Sequence, residues 1–205
     1  MRLRLKARER IGKIWSTYRH GLLINTFRIK LALKGIRIQP YFLVREQLFE
    51  NLGKQFETGF EEFETVFLEP EDMCAVSASR KWGLTEKHYL KLLEEGKKCF
   101  GVKCNSELAA FMWVDLKECN FEGNRFALKQ DWAYLYNAWT LEHFRGRRIA
   151  SYMRYQCYKA LNQLGRNKYY SITEYFNTPA AKFKERLGAK NIKLGLAIGL
   201  FGKYN

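Results

Sequence analysis

Residues 132–151 read WAYLYNAWTLEHFRGRRIAS, and this stretch decides the fold. Its first nine residues, Trp132 to Thr140, are aromatic, β-branched or aliphatic with one Asn, which predicts a strong strand. A helix is predicted from Arg145 to Leu164, stopped by Gly165. Between the two lies a tight turn carrying Arg145, Gly146, Arg147 and Arg148. A strand that turns directly into a helix leaves the first backbone N–H groups of that helix unpaired, and the helix dipole adds partial positive charge there. Such a turn holds anions, phosphates above all. Three arginines at the positive end of a dipole are each disfavoured by a few tenths of a kcal/mol unless an anion compensates. The alternative is a basic helix start whose guanidinium groups are simply solvated.

Downstream, Tyr169 to Glu174 reads as a strand. Pro179 to Leu187 reads as a helix, with Pro in its first turn and Gly188 at its end. Ile192 to Phe201 closes the chain with one or two strands. Upstream, Tyr41 to Val44 is a short strand, and Glu46 to Phe56, Glu71 to Trp82 and Leu84 to Glu95 are helices, the last capped by Thr85. Cys99 to Lys103 and Leu108 to Asp115 flank Asn105-Ser106 as a hairpin. Leu116 to Gln130 reads as a polar loop. The order of strand, helices, hairpin, long strand, helix, strand, helix and strand defines an α/β fold with a mixed central sheet flanked by helices.

Residues 1–39 differ from the rest. Ile11, Ile14, Trp15, Tyr18 and Leu22 recur at helical spacing among Arg2, Arg4, Lys6, Arg8, Arg10 and Lys13, and Leu23, Phe27 and Leu31 continue the pattern loosely. The segment from Gly35 to Pro40 is a plausible boundary. Two units follow: a basic amphipathic extension over 1–39 and a main domain over 40–205. The 205 residues carry a net charge of +15, placed unevenly. Residues 1–40 contribute +10, residues 143–205 contribute +11, and the stretch between them is acidic. Two separate basic regions point to an anionic ligand at one and an anionic surface at the other. Nucleic-acid binding is the competing explanation, and no nucleic-acid module motif accompanies it.

Composition narrows the class further. With 47% hydrophobic and 28% charged residues the chain reads as a soluble globular protein. No apolar run approaches the ~18 residues of a membrane span, and no signal-peptide pattern opens the chain, so a cytoplasmic setting is expected. The five cysteines are irregularly spaced, with no C-x-x-C pair, and read as reduced thiols without a metal. Dinucleotide, P-loop, zinc-protease and nucleophile-elbow motifs are missing.

Two motifs in this order resemble those of the GCN5-related N-acetyltransferases, the GNAT family. Their phosphate turn is [QR]-x-x-G-x-[GA] at the start of a helix following a long strand. Here it reads Arg145-x-x-Arg148-x-Ala150. One strand later the family has an Asn, then a helix with an apolar residue followed by a frequent Tyr, then x-x-Leu-Gly. Here Asn177 is followed by Phe183, Lys184, Leu187 and Gly188. The resemblance covers residues 40–205. Two departures stand out: Arg148 occupies the position of the family's Gly, and Lys184 that of its Tyr.

The resemblance implies acyl transfer from acetyl-CoA, or another acyl-CoA, to a primary amine. It implies that two neighbouring strands splay around the pantetheine, held by the backbone at Ala138, Trp139 and Thr140. The pyrophosphate would lie on Gly146, Arg147, Arg148, Ile149, Ala150 and Ser151, with Arg145 beside them. Asn177 would contact the cofactor or cap its helix. Lys184 would stabilise or protonate the leaving thiolate, and Glu174 is the first candidate for the base, with Glu142 behind it. Tyr136 and Tyr175 are candidates for a sugar-stacking pocket. An amino sugar of surface-polysaccharide synthesis is the acceptor the resemblance favours. The extension over 1–39 would contact an anionic membrane surface, or else pack on the domain or on a second copy in a homodimer.

Overall fold

The computed structural model describes residues 22–79, 84–201 and 203–204. The helix expected over residues 11–21 lies outside them. Helix α1 (Leu22–Leu33) ends at a turn through Gly35, whose φ of 83° is open to glycine. Strand β1 (Ile36–Glu46) follows at once. It runs through Pro40, so the boundary expected between residues 39 and 40 falls inside a strand.

The segment expected to be helical after Glu46 forms a 3-10 stretch from Glu50 to Phe56. Strand β2 (Phe63–Leu68) leads to a 3-10 turn at Pro70–Asp72 and the short helix α2 (Met73–Ala78). Pro70 pre-sets this turn, and Glu69 and Asp72 cap one another across it. Helix α3 (Glu86–Glu94) begins one residue after Thr85. Strands β3 (Lys98–Cys104) and β4 (Glu107–Asp115) form the expected hairpin, with Asn105 and Ser106 both at positive φ, as a tight two-residue turn demands.

The stretch expected to be a loop contains a second hairpin, β5 (Glu118–Phe121) and β6 (Asn124–Ala127). Strand β7 (Trp132–Thr140) matches its expected limits. Helix α4 (Ile149–Gln163), strand β8 (Lys168–Glu174), helix α5 (Thr178–Arg186), strand β9 (Lys190–Leu200) and the short β10 (Lys203–Tyr204) complete the chain.

Among the described residues one sheet of eight strands runs in the order β10-β9-β1-β8-β7-β4-β3-β2. Every pairing is antiparallel except that of β7 with β8, which α4 connects as a crossover. Strand alternation sorts the side chains between two faces. Phe100, Ala110, Met112 and Val114 meet Ile149, Met153, Cys157 and Leu161 of α4 on one face. Cys99, Phe111 and Trp113 meet Met73, Val76 and Tyr89 of α2 and α3 on the other, where Tyr89 stacks on Trp113 at 5.8 Å. The β5–β6 hairpin covers Tyr134 and Tyr170 on that second face, closing it with Cys119. Four of the five thiols are buried, with Cys74 exposed. Among the described residues no helix is long and apolar enough to cross a membrane.

Candidate active site

The parallel pairing of β7 with β8 runs from Trp132 opposite Lys168 to Leu135 opposite Ser171, and stops there. Beyond it the two strands keep different partners. Strand β7 stays with β4, with Phe111 opposite Trp139 and Ala110 opposite Thr140. Strand β8 stays with β1, with Leu43 opposite Ile172 and Tyr41 opposite Glu174. A bulge helps β7 turn aside: its register on β4 shifts between Phe111 and Trp113, and Asn137 takes a φ of 50°. Bulged residues bend a strand and break its ladder. The sheet is therefore forked, with Ala138, Trp139 and Thr140 along one arm and Ile172 to Glu174 along the other.

The arm of β7 ends in the arginine turn. A 3-10 turn over Glu142–Phe144 leads into Gly146 at φ 82° and Arg148 at φ 59°. Ser151 and Tyr152 both donate to the Arg148 carbonyl, at 3.1 Å each. None of the described backbone bonds is donated by Gly146, Arg147, Arg148, Ile149 or Ala150. Five consecutive N–H groups are thus left without a backbone acceptor, and a Cβ built on Gly146 would meet nothing within 4 Å. Unpaired amides at the start of a helix are the groups that can hold an anion.

The three arginines are turned onto the protein. Arg145 donates to the Thr140 carbonyl at 3.2 Å and lies over the Trp139 ring at 4.9 Å. Arg147 pairs with Glu62 and lies over Phe63 at 5.1 Å. Arg148 keeps a glycine-like backbone, at a cost of about 1–2 kcal/mol for a residue with a Cβ. Its side chain reaches away to the Gln55 carbonyl at 2.7 Å. The substitution of Arg for Gly is accommodated by conformation, and the guanidinium ties the turn to the 3-10 stretch before β2.

At the crotch of the fork lies a buried polar cluster. Lys184 projects from α5, and its ammonium donates to Ser171 Oγ at 2.8 Å, the Ile172 carbonyl at 2.9 Å and Thr173 Oγ1 at 2.8 Å. Ser171 and Tyr158 in turn donate to the Glu46 carboxylate. Arg154 of α4 completes the cluster, with Nε 3.3 Å from Glu46 Oε2 and Nη1 3.3 Å from the Met112 sulfur. Glu46, Arg154 and Lys184 are all buried. Burial pulls the Lys184 ammonium down to about 7; Glu46 opposes this and Arg154 reinforces it. Burial works to raise the Glu46 carboxyl, but Arg154, Lys184 and the Ser171 and Tyr158 hydroxyls together hold it below the usual carboxylate range.

Of the residues expected from sequence, Lys184 thus sits at the crotch of the fork. Glu174 is exposed on the opposite face of β8, the face of Tyr170 and Ile172. Asn177 caps α5, its Oδ1 accepting from the Ala180 amide at 3.2 Å. Glu142 is exposed beside Arg145. Tyr136 stacks on Tyr134 at 5.2 Å, and Tyr175 on Phe42 at 5.5 Å, so both rings already have aromatic partners. Glu46, Arg154, Tyr158 and Ser171 were not singled out from sequence. Arg154 carried a signal: it lies in the apolar stripe of α4 beside Met153 and Cys157, four residues before Tyr158 and seven before Leu161. A charge at such a position needs a buried partner.

The comparisons place this forked sheet in a family. The sequence model of the Acetyltransferase (GNAT) family matches residues 56–189, and the chain belongs to this family. No curated protein sequence is matched. Solved structures share the fold at low identity. An acetyltransferase of the GNAT family from Novosphingobium aromaticivorans aligns with a TM-score of 0.53 and 16% identity, over 81% of this chain and 68% of the other. The GCN5-related glucosamine N-acetyltransferase region of a fungal multi-domain β-N-acetylglucosaminidase aligns at 0.60 and 14%, over 85% and 22%. An aminoglycoside N-acetyltransferase in complex with CoA aligns at 0.53 and 17%, over 64% and 90%. The chain spans less than two thirds of the length of several other matched structures.

Proposed function

We propose that the protein transfers an acetyl group, or another acyl group, from CoA to the primary amine of a small molecule. The observation that carries this reading is the fork opening at Leu135 and Ser171 and leading to the undonated amides of Gly146 to Ala150. When bound, the acyl-CoA supplies the thioester. Ala138, Trp139 and Thr140 orient its pantetheine through the freed edge of β7, and the turn from Gly146 to Ser151 holds its pyrophosphate.

Two faces of β8 divide the proton chemistry. Glu174, on the exposed face, takes a proton from the incoming ammonium, directly or through water, so that the neutral amine attacks. Lys184, on the helix-covered face, gives a proton to the departing thiolate. With its ammonium near 7, the transfer to a thiolate of ordinary basicity runs downhill.

For the acceptor we propose an amino sugar of surface-polysaccharide synthesis. Its support is resemblance: two of the matched structures bear the names of a glucosamine and an aminoglycoside N-acetyltransferase. We further propose a cytoplasmic enzyme that its basic residues 1–39 bring to an anionic membrane surface. Calorimetry with acetyl-CoA tests the core of the reading, followed by a screen of amine acceptors. Micromolar CoA binding that Gly146→Asp weakens supports it, and an absence of CoA binding refutes it.

A further inference from the structure

We infer that the cavity beneath the β5–β6 hairpin is the acceptor site, and that it takes a single ring bearing a primary amine on one side and an anionic group on the other. The inference deepens the transferase reading and rests on it for the direction of the amine.

The sequence Phe121-Glu122-Gly123-Asn124 builds the roof. Glu122 and Gly123 both take positive φ, 50° and 82°, in the two-residue turn that joins β5 to β6. The Phe121 ring beside this turn meets the Tyr41 ring of β1 edge-on at 4.9 Å. The floor comes from three strands in register. Ile172 of β8 lies opposite Leu43 of β1, and Leu43 opposite Lys193 of β9. Two residues along, Glu174 lies opposite Tyr41, and Tyr41 opposite Gly195. Directly opposed residues share a face, so all of these stand on one side of the sheet, the side away from Lys184 and Glu46. Gly195 lets the Tyr41 ring settle there, since a Cβ on it would come within 2.4 Å of that ring.

Between floor and roof is a cavity of about 260 Å³. Its apolar lining includes Tyr41, Leu43, Phe121, Phe126 and Ile172, and its polar groups include Asn124 and Lys193. Apolar walls with a few placed polar groups are the make-up of a small-molecule site. The volume falls just under the ~300 Å³ at which drug-sized sites begin, which suits one ring rather than a chain of them.

The two ends of the cavity differ in chemistry. Ile172 is the first residue of β8 past its pairing with β7, so the cavity shares a wall with the fork. Glu174 follows on the same face, about 7 Å further along the strand. At the other end Lys193 is exposed, and among the described residues no acid pairs with it. Arg125, nearby, is already held by Glu118 at 2.7 Å. Glu174 and Lys193 are two strand spacings and two residues apart, about 12 Å between Cα atoms. A ring lying between them presents its amine to the carboxylate and its anion to the ammonium. An acceptor with a second ammonium on that side is repelled by Lys193.

Ligand-observed NMR titrations of the full chain with CoA present test this with two matched pairs. One pair is glucosamine and glucosamine 6-phosphate; the other is 4-methylbenzylamine and 4-(aminomethyl)benzoate, which separates a sugar from an aryl ring. We expect the anionic member of at least one pair to bind about fivefold tighter or more than its neutral partner. Lys193→Gln should erase that preference and Lys193→Glu reverse it, while Tyr41→Ala weakens both members. CoA affinity, read by calorimetry, should be unchanged in these variants. Should Tyr41→Ala unfold, the two Lys193 variants, made at an exposed side chain, decide alone. With acetyl-CoA the tighter-bound member should be N-acetylated, as read by mass spectrometry. Equal binding within both pairs, binding of none of the four, or a preference that survives Lys193→Gln overturns the inference. Binding without acetylation overturns the acceptor role. In each of these cases intact CoA binding leaves the nucleotide side of the transferase reading standing. A wild type that keeps the preference but binds no CoA overturns that reading, and the acceptor role with it.

Discussion

Replacing Glu46 by Gln removes the single negative charge from the cluster and leaves Arg154 and Lys184 facing each other in the interior. The side chains of Glu46 and Arg154 are 1% and 2% exposed, at an Nε to Oε2 separation of 3.3 Å. At an effective dielectric of about 20 that separation corresponds to about 5 kcal/mol of attraction. Removing one partner of a buried pair typically costs about 3–5 kcal/mol, because the other charge stays buried without compensation. Gln keeps one carbonyl oxygen for Tyr158 or Ser171, so part of the hydrogen bonding survives. For a chain of this size each kcal/mol lowers Tm by about 2–4 °C, and the expected fall is about 6–20 °C. Differential scanning calorimetry at pH 7 reads it. The double variant Glu46→Gln, Arg154→Met should recover much of the loss, since the orphaned cation is gone. A fall below about 2 °C, or a double variant as unstable as the sum of its parts, would refute the claim that this carboxylate balances the two cations.

Lys184→Met should abolish a descending limb of the kcat profile. If the ammonium is the acid, turnover declines as pH rises through about 7, and the Met variant is slower but flat across that range. The same lysine has a folded-state value below its unfolded one, so the unfolded chain binds the extra proton above pH 7. Its contribution to stability therefore rises from pH 7 toward 10, and wild type should lose stability relative to Lys184→Met as pH falls from 9 to 7. Paired melts at the two pH values check this. Gly146→Asp should weaken CoA binding by about tenfold or more, through repulsion of the pyrophosphate and the strain of a Cβ at φ 82°; calorimetry measures it. Asn177→Ala should cost about 1 kcal/mol through loss of the α5 cap, visible as a Tm lower by about 2–4 °C.

What the sequence made legible follows the range of the forces involved. Strand β7 and the β3–β4 hairpin are set by local pattern and turn chemistry, and their limits were readable. The helix after β7 begins at Ile149 rather than Arg145, because Gly146 and Arg148 take positive φ and hold the chain in a turn. The polar stretch 116–130 hid the β5–β6 hairpin, whose strands are four residues long and owe their order to packing over Tyr134 and Tyr170. The helix expected from Glu46 onward failed for a non-local reason: Glu46 is consumed as the end of β1 by its pairing with β8 and its burial against Arg154. The phosphate turn was legible because its amides and glycine are contiguous. The buried cluster was not, because its members come from β1, α4, β8 and α5, and nothing local marks Glu46 as their meeting point.

The fork also has unequal walls. Past Leu135, β7 remains laced into β4, β3 and β2, a block packed on both faces by α4 and by α2 with α3. Past Ser171, β8 is paired in the sheet with β1 alone, tied to α5 through Lys184, and β1 pairs with β9, whose alternate aliphatic residues are exposed. One side of the cleft is thus an anvil and the other a leaf, hinged where the parallel pairing ends. The thinner wall is the one with fewer layers behind it, and near its margin lies the strand that presents Leu194 to Leu200. That margin reaches Ile172 and Glu174 through the pairing of β9 with β1 and of β1 with β8.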